Sequence, residues 1–119
     1  MSVVLLPEVQ EYMKELQIIL YEKDYFGFEA AAQRYTDELL DDILNTLPKR
    51  LHKPAPAYFD KYGKDMEYAT FKKNKHTTWY VFFEIYEDNG EIFYLVRYIA
   101  NNHTVAQYSR LRRFLAIST

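Results

Sequence analysis

Residues 71–103 read FKKNKHTTWYVFFEIYEDNGEIFYLVRYIANNH, and the tripeptide that organises them is Asp88-Asn89-Gly90. Asn-Gly between two β-branched, aromatic runs is the strongest short-range hairpin signal, because both residues tolerate the positive φ that a type I′ turn demands. With Asn89 and Gly90 as the loop, facing residue numbers sum to 179 and the two sheet faces can be read off. One face carries Trp79, Val81, Phe83, Ile85, Ile92, Tyr94, Val96 and Tyr98. All eight are apolar or aromatic, as a helix-covered face requires. The other carries Tyr80, Phe82, Glu84, Tyr86, Phe93, Leu95, Arg97 and Ile99, with Glu84 and Arg97 as diagonal neighbours within reach of each other. Trp79, Phe83, Tyr94 and Val96 are expected beneath helices, with Phe82, Glu84 and Arg97 on a more open face.

Upstream, Ser2 to Leu6 reads as a short opening strand stopped by Pro7, which suits a first helical turn with Glu8 beside the positive end of the helix dipole. Val9, Tyr12, Met13, Leu16, Ile19 and Leu20 recur at three- and four-residue steps, so this helix runs to about Glu22. After a short connection containing Gly27, Phe28, Ala31, Ala32, Tyr35, Leu39, Ile43 and Leu47 trace a second, longer stripe that ends at Pro48. Two helices joined so tightly should lie antiparallel. Residues 48–56 form a proline-rich crossing loop, Tyr58 to Tyr62 a helical turn, and Asp65 to Lys73 a strand ahead of the hairpin strands Thr77–Tyr86 and Glu91–Ala100. Val105 to Leu115 has helical spacing and three arginines. The expected fold is α+β: an N-terminal helical hairpin packed on one face of a small, mainly antiparallel β-sheet, in one domain over residues 1–119.

Composition narrows the chemistry. The chain has 119 residues, 18% of them aromatic and twelve of them Tyr, which suits a thick core rather than disorder. It has no Cys, excluding disulfides and thiolate catalysis, and its three His, at 52, 76 and 103, lack metal-ligand spacing. Neither a metal nor a cofactor is expected. No apolar run approaches a membrane span and the first residues lack a signal-peptide pattern, which points to the cytoplasm. The net charge of -2 hides an asymmetry: residues 1–48 hold 3 Lys+Arg against 10 Asp+Glu, and residues 49–119 hold 12 against 7. The basic half suits a polyanionic or acidic partner. Acidic helices that simply solvate well explain the same numbers.

The helix pair ending at Leu47-Pro48, the Lys-rich strand, the aromatic run 79–86 and the run Tyr94-Leu95-Val96-Arg97-Tyr98-Ile99-Ala100-Asn101-Asn102-His103 together resemble the RelE/ParE superfamily of small bacterial toxins. The resemblance implies a toxin-like component of a type II toxin-antitoxin system with a cognate antitoxin, acting by mRNA cleavage at the ribosome or by inhibition of DNA gyrase. It also implies site residues. Lys72, Lys73 and Lys75 match the lysine strand of the nuclease branch, and Tyr108 matches its tyrosine. The arginine expected after the last long strand does not transfer: its position falls near Asn102, with His103 and Arg97 the nearest substitutes.

Metal-free RNA cleavage needs a base for a 2′-hydroxyl, an acid for the leaving oxygen and cations for the charge on phosphorus. Arg97, His103 and Tyr108 are the catalytic candidates; Lys72, Lys73, Lys75, Arg110, Arg112 and Arg113 are candidates for binding nucleic acid or a partner. Lys73, Arg97, His103 and Tyr108 are expected around one concavity, and Lys73 and Lys75 on one face, with Lys72 on the other. Each has a plainer explanation. Lysines protect edge strands, a His at a strand end is commonly a turn residue, and Arg97 with Glu84 can be a structural ion pair. A reading of a different class follows: a non-catalytic interaction domain that keeps this fold without toxin activity.

Overall fold

The computed structural model describes residues 1–22 and 29–102. Strand β1 (Ser2–Leu5) leads into helix α1 (Pro7–Glu22), followed by α2 (Glu29–Thr46), a 3₁₀ turn (Leu47–Lys49), the two-residue strand β2 (Lys53–Pro54), a second 3₁₀ turn (Ala57–Lys61), and strands β3 (Glu67–Asn74), β4 (Thr77–Asp88) and β5 (Glu91–Asn101). The five strands form one mixed sheet in the order β1-β5-β4-β3-β2. Only β1 is parallel, pairing Ser2 with Phe93 through Leu5 with Val96. The domain class is therefore α+β.

The sequence dictates most of this locally. Asn89 and Gly90 take φ of 51° and 79°, as a type I′ turn requires, and Asp88 faces Glu91. Pro7 starts α1 where a missing N–H costs nothing. Pro48 ends α2 in the 3₁₀ turn, leaving Leu47 fully buried. Val9, Met13, Leu16 and Leu20 from α1 and Ala32, Leu39 and Ile43 from α2 bury against Phe71, Trp79, Val81, Phe83, Tyr94 and Val96. Each large side chain so removed from water contributes roughly 1.5–3 kcal/mol before entropy is counted. Trp79 keeps its indole N–H satisfied by donating to the Tyr35 hydroxyl at 2.9 Å.

Two expectations are corrected. The second sheet face is not open: the chain between the helices and β3 crosses it, and Phe59, fully buried, stacks on Phe82 with ring centroids 4.2 Å apart. Met66, Tyr68, Tyr80 and Ala100 complete this smaller core. The face assignment also fails at the end of β5. Ile99 belongs to the helix-side core and Tyr98 packs with the opposite one. A β-bulge is the cause, since the pairing steps from Phe83–Val96 to Phe82–Tyr98 and leaves Arg97 as the extra residue.

Candidate functional site: the cleft at the Arg97 bulge

A bulge places two consecutive residues on one side of a strand and re-aims them. Here these are Arg97 and Tyr98, and both meet Tyr62. Arg97 Nε donates to the Tyr62 carbonyl at 2.7 Å and lies 3.4 Å from Glu84 Oε1. The Tyr98 ring stacks on the Tyr62 ring at 3.9 Å, within 6° of parallel. Gly63 makes the approach possible. A Cβ there would lie 2.7 Å from Arg97 Cδ and Nε and 2.8 Å from Glu84 Oε1.

In front of these residues, between the start of α1, the end of β5 and Lys61-Tyr62, lies a cleft of about 480 Å³. Leu6, Val9 and Ile99 provide aliphatic walls, and Tyr12, Tyr62 and Tyr98 provide rings with hydroxyl tips. Among the described residues the charged lining groups are Arg97, Lys61 and, on the exposed first turn of α1, Glu8. Lys61 Nζ donates to the Tyr58 hydroxyl at 3.1 Å and sits 4.2 Å from that ring's centroid. Burial raises the pKa of Tyr12 and of Tyr98; for Tyr98 a hydrogen bond with Tyr62 and the neighbouring phenols add to the effect. Both remain neutral hydroxyls at physiological pH and are unsuited to taking a proton. Among the described residues no histidine lines the cleft. The arrangement offers donors and positive charge beside apolar walls, which suits holding an anion better than abstracting a proton.

The lysine candidates lie elsewhere. Lys73 is on the helix side of the sheet, its Nζ 4.0 Å from Glu38 Oε2 and 5.2 Å from the Tyr35 ring centroid. Lys73 and Arg97 thus occupy opposite faces, and the expected concavity containing both does not form. A register shift between Lys72 and Asn74, with Lys73 as the extra residue, accompanies this placement. Lys75 sits exposed in the two-residue turn between β3 and β4 rather than sharing a face with Lys73, and Lys72 is exposed on β3. His103, Tyr108, Arg110, Arg112 and Arg113 lie outside the described residues.

Asn102, which stands where the resemblance expects an arginine, has a structural task. Its Oδ1 accepts the Thr78 N–H and its Nδ2 donates to the His76 carbonyl, both at 3.0 Å, tying the end of β5 to the β3–β4 turn. An arginine has no acceptor with which to make the first of these bonds. Sequence reading missed Tyr12, Lys61 and Tyr62 as site residues. Tyr12 was visible only as a member of an apolar stripe, and nothing local marks Lys61 and Tyr62.

Searches of protein-family models, of curated proteins and of solved structures find no match to this chain.

Proposed function

We propose that this chain is a toxin-like protein of the RelE/ParE kind, silenced by a cognate antitoxin, and that it arrests growth by binding its target rather than by cutting RNA. Support for the toxin reading comes from the run of residues 94–102 set on a sheet whose other face carries two packed helices, the layout the resemblance implies. The choice between modes rests on one observation: Lys73 and Arg97 stand on opposite sheet faces, each beside a carboxylate. Phosphoryl chemistry needs its cations around one phosphorus atom. Two cations separated by a β-sheet cannot share one, so gyrase inhibition is preferred to mRNA cleavage within this reading. Among the described residues no helix is long and apolar enough to cross a membrane, so nothing there opposes a target in solution.

A second reading has its own support. The sheet face bearing Arg97 is largely covered by the chain's own Phe59 and Tyr62, which favours a non-catalytic interaction domain that keeps the fold.

The test is induction of the chain alone in a bacterial culture, followed by ribosome-dependent mRNA cleavage and gyrase supercoiling assays on purified protein. Arrest with intact mRNA and inhibited supercoiling is expected. Arrest with cleaved mRNA would replace binding by catalysis. Unimpaired growth at good soluble expression would favour the interaction domain.

A further inference from the structure

The cleft at the Arg97 bulge has the properties of a small-ligand site, independently of any toxin activity. We propose that it binds an organic acid consisting of one carboxylate on an apolar, preferably aromatic, stem. The first support is the state of Arg97. Its Nε is held by the Tyr62 carbonyl and lies nearest Glu84, while its terminal Nη groups make no hydrogen bond among the described residues. A guanidinium fixed at one edge presents the other as a planar fork, the geometry that a carboxylate accepts with two parallel bonds. Its side chain is 29% exposed, so the fork is only partly solvated and still reachable.

The walls argue for the stem. Leu6, Val9 and Ile99 offer no polar side-chain group, and the Tyr12 and Tyr98 rings complete an apolar enclosure. A volume of about 480 Å³ suits a molecule with a ring and a short chain, within the usual range of roughly 300–1,000 Å³ for small-ligand sites. The donor set argues for a single carboxylate. The Arg97 charge is already met by Glu84 and, among the described residues, Lys61 and Glu8 line the cleft with opposite signs. What a ligand can use is the one guanidinium edge that Tyr62 and Glu84 leave, two parallel donors that match one carboxylate. A small inorganic anion would leave the apolar walls unused, and a neutral ring compound would leave the guanidinium fork empty.

The experiment is an NMR titration of the isotopically labelled full chain with 4-phenylbutyrate, with 4-phenylbutyramide and acetate as controls. Saturable shifts are expected at Val9, Ile99, the Tyr12 ring and Arg97 Nε–H, with a Kd of about 1 mM or tighter. The amide and acetate should each bind at least about tenfold more weakly, because one lacks the charge and the other the stem. Lys61→Gln should weaken binding and Glu8→Gln should tighten it, each by roughly two- to fivefold. Both positions are exposed, so these variants keep the test valid if Arg97→Gln disturbs the fold. Equal affinity for acid and amide would overturn the proposal. So would equal affinity for acetate, shifts scattered over the lysine-rich surface, or no saturable binding.

Discussion

Arg97 Nε donates to the Tyr62 carbonyl at 2.7 Å across 35 residues of sequence, and this bond joins the bulged strand β5 to the segment that covers its outer face. The Tyr62 ring meanwhile stacks on Tyr98, so one residue grips both members of the bulge. Gly63 is the neighbour that lets the Arg97 and Glu84 side chains come so close to this segment. Gly63→Ala must displace Arg97 or Glu84, both held by each other and by Tyr62, and should cost about 1–3 kcal/mol in urea unfolding. In an Arg97→Ala background the same substitution should cost much less, since Arg97 Cδ and Nε are gone and Glu84 Oε1, no longer held by Arg97, can swing aside. Equal costs in both backgrounds would refute the proposed contact.

Arg50 fastens the end of α2 to the sheet. Its Nη2 donates to Asp42 Oδ2 at 2.9 Å, its Nε to Thr46 Oγ1 and its Nη1 to the Thr70 carbonyl, each at 3.0 Å, and its guanidinium lies 3.8 Å from the Phe71 ring centroid. Lysine keeps the charge but cannot span three acceptors in one plane. Arg50→Lys should therefore lose about 1–2 kcal/mol of stability, most of it hydrogen bonding rather than the part-exposed ion pair. High salt should change this difference little.

The buried indole of Trp79 depends on one acceptor. Tyr35→Phe removes it while leaving the ring, so the Trp79 N–H becomes unsatisfied in the core. A loss of about 1–3 kcal/mol is expected. Trp79 is the sole tryptophan, and its emission reports the unfolding curve directly.

Alkali should unfold this protein through its phenols. Burial raises the pKa of Tyr12, Tyr35, Tyr80 and Tyr98 above the ordinary 10.0. Above pH 10 the unfolded chain releases protons that the folded chain retains, so stability falls with rising pH and is fully present only below that value. Urea midpoints should be flat to about pH 9 and then decline, each such tyrosine adding up to about 1.4 kcal/mol per pH unit. Tyr98→Phe should reduce the slope by up to one proton; an unchanged slope would contradict the burial of that phenol.

The sequence by itself determined the elements that obey a local rule. Asn89-Gly90 fixed the turn and, through it, the pairing from Asp88–Glu91 to Phe83–Val96; the 3.6-residue stripes fixed the helices, with Val9, Met13, Leu16 and Leu20 facing inward. Period-two alternation placed Trp79, Phe83, Tyr94 and Val96 under the helices and Phe82 and Glu84 away from them. The tertiary structure alone decided the bulge at Arg97, the exchange of Tyr98 and Ile99 between faces, the separation of Lys73 from Arg97, and the use of Asn102 as a clamp. The physical reason is range. Turn preference and amphipathic period depend on neighbours a few residues away, whereas a bulge forms where distant groups reward it. Here Tyr62 and Glu84 hold Arg97 on one side of the sheet while the helix-side core takes Ile99 on the other, and no local pattern in β5 encodes that competition.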